Sequence, residues 1–245
     1  MTAWDAVVGH FFSKARGTNL FSEERANHRF NGEPMEKILE GLIKFQEEVF
    51  DKKRELFAGL SRQQKPRAVF VTCSDSRIDP SLLTQTEPGD LFIIRNAGNL
   101  IPTYGAAIGG STASLEYGIS VLQVKDIIVC GHTDCGAMEA LLHQEKLQEL
   151  PAVKAWLQHA ETTVRIMKDL YAHLQGEELF AATIRENVLV QLDHLKTHPA
   201  VATGLRRGNL RLHGWVYSIE TGEVWVYDSQ KKTFYNPRKL KHKTQ

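Results

Sequence analysis

Four short apolar runs punctuate the chain: Ala68-Val69-Phe70-Val71, Leu91-Phe92-Ile93-Ile94, Ile127-Ile128-Val129-Cys130 and the stretch from Leu210 to Ile219. The first three have almost no polar alternation and are rich in β-branched and aromatic residues, as parallel strands buried on both faces are. Between them, apolar residues recur every three or four positions. Met35, Leu39, Leu42, Val49 and Leu56 precede the first run, Val153, Trp156, Val164 and Met167 follow the third, and Ile184, Val188, Leu192 and Leu195 come next. That spacing places each set on one face of a helix. Strands alternating with helices predict an α/β fold with a mostly parallel sheet whose order begins 2-1-3, flanked by helices. The stretch Ser218 to Val226 reads as a closing hairpin that adds an antiparallel C-terminal edge strand.

No internal repeat or low-complexity linker divides the 245 residues, a length that fits one domain with appended arms. Residues 1–34 mix apolar and charged positions without a clean strand and are expected to form an N-terminal arm, residues 35–230 the body, and residues 231–245 a basic, solvated tail. Lys plus Arg (30) nearly balances Asp plus Glu (29), which gives no broad electrostatic reason to expect nucleic acid or an acidic membrane as partner. The first twelve residues lack the pattern of a signal peptide, and no apolar run approaches a membrane span, so the expected location is cytoplasmic. Three cysteines, Cys73, Cys130 and Cys135, make a poor disulfide framework but suit a reduced compartment in which thiolates bind metal.

The first apolar run leads directly into Cys73-Ser74-Asp75-Ser76-Arg77, and the third into Gly131-His132-Thr133-Asp134-Cys135-Gly136. Both clusters therefore sit just past the carboxyl ends of buried strands, where open α/β sheets bind ligands, and the order 2-1-3 makes those two strands neighbours. Cys73, His132 and Cys135 would then face one another. Two thiolates and one imidazole match a catalytic zinc set that leaves the fourth tetrahedral position open. Cys130 lies inside its strand and is expected to be buried packing. Asp75 and Arg77 are close enough to Cys73 and to each other for the guanidinium to fork onto the carboxylate beside the metal, keeping it ionised as a proton acceptor. Gly105, Gly109 and Gly110 do not form a nucleotide-binding fingerprint and are expected to allow close packing at the start of the helix that carries Leu115 and Tyr117.

Cys73 to Arg77, Pro88 to Asn99 and Cys130 to Gly136 resemble, in sequence and in order, the β-class carbonic anhydrases, over roughly residues 35 to 230. The resemblance implies zinc on Cys73, His132 and Cys135, a catalytic Asp75–Arg77 dyad, and a homodimer or higher homo-oligomer as the active unit. Gln64, nine residues before Cys73, resembles the substrate-contacting glutamine of the plant and cyanobacterial (type I) form. The other form carries a tryptophan three residues before the first cysteine as part of a bicarbonate regulatory site, and here that position is Phe70. The same resemblance assigns Phe92, Ala97 and Tyr117 to an apolar substrate pocket built partly across the dimer interface.

The implied activity is reversible hydration of carbon dioxide to bicarbonate and a proton by zinc-hydroxide attack, since zinc supplies hydroxide near neutral pH and carbon dioxide needs an apolar niche beside it. The backbone amide of Gly136 and the side-chain amide of Gln64 are candidates to hydrogen-bond a substrate oxygen. Asp75 would reach the metal only in a closed form of the site, and with Phe70 in place of tryptophan the open form is expected. Hydrolysis of carbonyl sulfide or carbon disulfide is an alternative on the same scaffold, and a structural zinc module is a second, for which the missing fourth ligand is the discriminating feature.

Overall fold

The computed structural model describes residues 34–107 and 109–241, so the expected N-terminal arm, but for Pro34, lies outside the described residues. The chain divides into two compact units, Met1–Ser61 and Arg62–Gln245. In the first, helix α1 (Pro34–Lys44) runs through a π-helical turn, Phe45–Val49, and a short turn, Phe50–Lys52, into α2 (Arg54–Leu60). The π turn and the non-helical Lys53 (φ −112°, ψ 19°) shift the helical phase, so Met35 to Leu56 do not form the single continuous face expected from their spacing. Met35 and Leu42 are exposed, and Phe50 and Phe57 stack on each other with ring centroids 5.0 Å apart.

The second unit is built on one six-stranded sheet. Its strands are β1 (Ala68–Cys73), β2 (Leu91–Asn96), β3 (Asp126–His132), β4 (Arg211–Tyr217), β5 (Val224–Asp228) and β6 (Thr233–Tyr235), in the order β2-β1-β3-β4-β5-β6. β1 to β4 are parallel and β5 is antiparallel to β4, as expected, while β6, antiparallel to β5, adds a strand beyond the single antiparallel edge expected. Every residue of β1 is buried, and so is every residue of β3 after Asp126, which explains their unbroken apolar runs. The helices of this unit are α3 (Pro80–Thr84), α4 (Gly110–Ser120), α5 (Gly136–Leu142), α6 (Pro151–Leu157), α7 (Glu161–Leu170), α8 (Gly176–Lys196), α9 (Pro199–Arg206) and α10 (Pro237–Lys241).

The predicted face of α8, Ile184, Val188, Leu192 and Leu195, is buried throughout. It lies close on the sheet because β3 and β4 carry glycine beneath it: a Cβ at Gly131 would stand 2.9 Å from Val188 Cγ2, and one at Gly214 3.0 Å from Val188 Cγ1. Gly105, Gly109 and Gly110 do not have the close-packing role expected of them, since a Cβ at each would meet nothing within 4 Å. The close approach on α4 is instead at Gly118, where a Cβ would meet Val69 Cγ2 at 2.9 Å. The expectation of a solvated tail also needs correction. Thr233-Phe234-Tyr235 closes the sheet as its edge strand, with Phe234 against Tyr227 at 5.2 Å, and Lys239 Nζ lies 5.2 Å from the centre of the Trp225 ring. A lysine-rich neighbourhood hid a short aromatic strand. Among the described residues, no helix is long and apolar enough to cross a membrane.

Candidate metal centre

β1 and β3 pair in parallel with Thr72 opposite Cys130, so their ends deliver Cys73 and His132 to the same edge of the sheet. After His132 the chain turns through Asp134, whose φ of 55° is left-handed, and Cys135 becomes the N-cap of α5. The metal-binding atoms of Cys73, His132 and Cys135 all lie within 4.8 Å of one another, and all three residues are buried. The two sulfurs are 3.9 Å apart. Two thiolates at the usual zinc–sulfur distance on a tetrahedral ion stand about 3.8 Å apart, so the observed spacing fits. His132 Nδ1 lies 2.8 Å from the carbonyl oxygen of Thr133, and donation there leaves Nε2 with its lone pair; Nε2 is buried without a hydrogen-bond partner. A buried, unpartnered imidazole nitrogen beside two sulfurs is the donor set a cation would complete. Among the described residues, these three are the side chains grouped to hold a metal, with no fourth.

The electrostatics agree with that reading. The Cys135 thiol donates to Cys73, which, against the cost of burial, holds the Cys73 thiol down to about 4, while the same contact and burial push Cys135 up. Burial, the largest influence, disfavours charge on His132, but Cys73, the Thr133 carbonyl and Asp75 together raise the pKa of the ring. Cys130, fully buried on β3, is pushed up to about 12 by desolvation, so it is a packing thiol as expected.

Asp75 is gripped by Arg77 through three hydrogen bonds: Nε to Oδ1 at 3.0 Å, Nη2 to Oδ2 at 2.8 Å, and the backbone N–H to Oδ1 at 2.9 Å. Those bonds hold its carboxyl well below the usual carboxylate range. Asp75 Oδ2 lies 4.0 Å from His132 Nε2, and Arg77 Nη2 also donates to the Asp134 carbonyl at 3.0 Å, linking the Cys73 loop to the Cys135 loop. Ala97 stands at the end of β2, next to Gly98, whose N–H donates to Cys73 Sγ at 3.4 Å. Gly136 opens α5 directly after Cys135 and is exposed.

The other expected site residues are elsewhere. Phe92 is paired with Val69 and approaches Tyr117 on α4 with ring centroids 6.1 Å apart. Gln64 precedes β1, at the opposite end of that strand from Cys73. Six strand residues span about 20 Å, so one chain does not bring Gln64 to its own Cys73.

Several residues that frame the site escaped the sequence reading. Arg95 donates to three backbone carbonyls of the Cys73 loop: Cys73 at 3.1 Å, Asp75 at 2.7 Å and Ile78 at 2.8 Å. On α8, Asn187, Gln191 and His194 are buried and reach the loop after β2: Asn187 Nδ2 donates to the Gly98 carbonyl (3.0 Å), Gln191 Oε1 accepts from the Ile101 N–H (2.7 Å), and His194 Nδ1 meets the Ile101 carbonyl (2.7 Å). The signal was present as polar residues four and three positions apart inside an otherwise apolar helix.

The carbonic anhydrase family model matches residues 68–224. The chain is 53% identical to a carbonic anhydrase of Synechocystis sp. over 83% of this chain and 75% of that one, and 48% identical to a carbonic anhydrase of Pseudomonas aeruginosa over 82% of this chain and 90% of that one. Among solved structures, the β-carbonic anhydrase CcaA superposes with a TM-score of 0.81 at 53% identity, covering 83% of this chain and 92% of that one. The β-carbonic anhydrase of Coccomyxa, in complex with acetazolamide, follows with a TM-score of 0.68 at 29% identity, over 78% and 84% of the two chains. With the family motifs standing at the ends of β1, β2 and β3, the chain belongs to the carbonic anhydrases, in their β class.

Proposed function

We propose that this enzyme interconverts carbon dioxide and bicarbonate at a zinc ion held by Cys73, His132 and Cys135, with the Asp75–Arg77 pair as its catalytic dyad. Zinc held by these donors would act as a Lewis acid that makes hydroxide available near neutral pH. The chain's own residues supply the rest. Asp75, kept ionised by Arg77, offers an acceptor oxygen 4.0 Å from His132 Nε2, where it can hold a proton and orient the group that carries it. Gly136 offers a backbone N–H to a substrate oxygen. The observation that carries the proposal is the three-bond grip of Arg77 on Asp75 beside three converging metal donors.

Gln64, Phe92 and Tyr117 belong to this reading only if a second copy of the chain contributes them, which supports a homodimer, or a larger assembly of dimers, as the active unit. The site is proposed to be of the open, type I form. Asp75 is held by Arg77 through both carboxylate oxygens, and Phe70 is wholly buried with its ring 5.9 Å from that of Trp215, so bicarbonate should act as substrate or product with hyperbolic dependence.

Metal analysis and stopped-flow hydration assays test the proposal. Wild-type protein should carry one zinc per chain, Cys73→Ser and Cys135→Ser should lose it, and Asp75→Asn should retain it with most activity gone, because the amide can donate where the carboxylate only accepts. Near-wild-type turnover of Asp75→Asn at full zinc loading would refute the dyad.

A further inference from the structure

We propose that Trp156 is a positioning residue for the metal centre, acting on Cys73 through a single peptide unit. The indole Nε1–H of Trp156 on α6 donates to the carbonyl oxygen of Ala97 at 2.8 Å. That carbonyl belongs to the peptide whose other end is the N–H of Gly98, and this N–H donates to Cys73 Sγ at 3.4 Å. Indole, peptide and sulfur form one hydrogen-bonded chain in which every donor points toward the thiolate. Hydrogen bonds in series polarise one another, by perhaps 10–30% per bond, so the indole strengthens the bond that Gly98 makes to sulfur.

The surroundings hold this chain in place from both ends. Gly98 has φ +78°, and a Cβ there would meet Met138 Cε at 3.0 Å and Ala137 Cβ at 3.1 Å, so only glycine lets the peptide sit against both Cys73 and α5. The Trp156 ring packs edge-on to His159, with centroids 5.3 Å apart, which fixes the direction of its N–H. Phenylalanine would keep an aromatic ring in this setting. What it lacks is the donor, so the hydrogen bond can be tested apart from the packing.

This inference rests on the proposed metal site at Cys73. A donor at sulfur lowers the energy of the thiolate lone pair, so losing the indole should raise that energy and move sulfur-to-metal charge transfer to lower energy. The experiment compares wild-type protein and Trp156→Phe, both full-length and loaded with Co(II), by absorption spectroscopy. Both should bind one Co(II) per chain, with the thiolate charge-transfer band of the variant shifted to longer wavelength. An unshifted band in a folded, fully loaded variant would overturn the proposal. Absence of any thiolate band in the wild type would overturn the metal site itself, a distinguishable failure. If Trp156→Phe does not fold, the wild-type protein still decides: the indole N–H proton resonance of Trp156 should move when Zn(II) is added to the metal-free protein, and a resonance that stays in place would overturn the proposal.

Discussion

Replacing Gln191 with methionine, which has nearly the same length and volume but no hydrogen-bonding amide, isolates what the polar stripe on α8 contributes. Gln191 is wholly buried and makes two bonds: its Oε1 accepts from the Ile101 N–H at 2.7 Å and its Nε2 donates to Asn187 Oδ1 at 3.0 Å. The Ile101 N–H would be left buried without an acceptor, which costs about 1–3 kcal/mol. The loss at Asn187 Oδ1 is smaller, about 0.5–1.5 kcal/mol, because Thr163 Oγ1 still donates to it at 3.3 Å. The thioether recovers about 1 kcal/mol through the apolar surface it buries. The net loss should be about 2 kcal/mol, close to a thirtyfold drop in the folding constant, read from urea denaturation of the metal-free protein. Because Ile101 lies in the same segment as Gly98, zinc release to a chelator should also quicken. A variant within about 0.5 kcal/mol of wild type and equally retentive of zinc would show that the stripe neither holds the loop nor supports the site, whatever its hydrogen bonds.

Cys130→Ala should keep one zinc per chain and most hydration activity, with stability reduced by about 1 kcal/mol for the small cavity, measured by metal analysis and denaturation; zinc loss would mean that the wrong thiol has been taken for packing. Asp126 accepts from Arg211 at 2.8 and 2.7 Å and from His213 at 2.8 Å, and Arg211 first, then His213, hold its carboxyl below the usual range. A depressed folded-state pKa stabilises above the unfolded value of ~3.9 and loses that contribution as pH falls through the folded value. Asp126→Asn should therefore cost no more than about 1 kcal/mol at pH 7, since Arg211 is largely exposed, and the gap to wild type should close at acid pH; a gap that widened on acidification would reverse the assignment.

How much of this was legible in the sequence depends on the distance over which a residue acts. The parallel sheet and the convergence of Cys73, His132 and Cys135 were, because these residues follow unbroken apolar runs that mark where buried strands end, and the 2-1-3 order of open α/β sheets makes the two strands neighbours. The Asp75–Arg77 pair was legible for the same reason, as its contacts span two residues. Arg95 was not, although it lies in a quoted motif, because its three acceptors are backbone carbonyls that carry no residue identity. Nor was β6, whose three residues are too few for periodicity to register.

The buried polar groups of α8 and the forked Arg95 converge on one requirement. A sheet edge places strand ends to within a residue, but the donors of a tetrahedral ion must be held far more closely than that, and the segments that finish the task, residues 74–79 after β1 and residues 97–102 after β2, are irregular but for one 3-10 turn at 97–99. Loops have no ladder of their own, so their carbonyls and N–H groups must be satisfied from outside. Arg95 does this for the first loop, and Trp156, Asn187, Gln191 and His194 do it for the second. Each of these side chains bonds to backbone, so substitutions along either loop that leave the backbone path unchanged leave the support intact. The second loop then meets the end of β1 where Gly98 donates to Cys73. A helix face that gave up Asn187, Gln191 and His194 for leucine would bury more apolar surface and leave that meeting point unheld, which is the physical reason for a polar stripe in an otherwise apolar core.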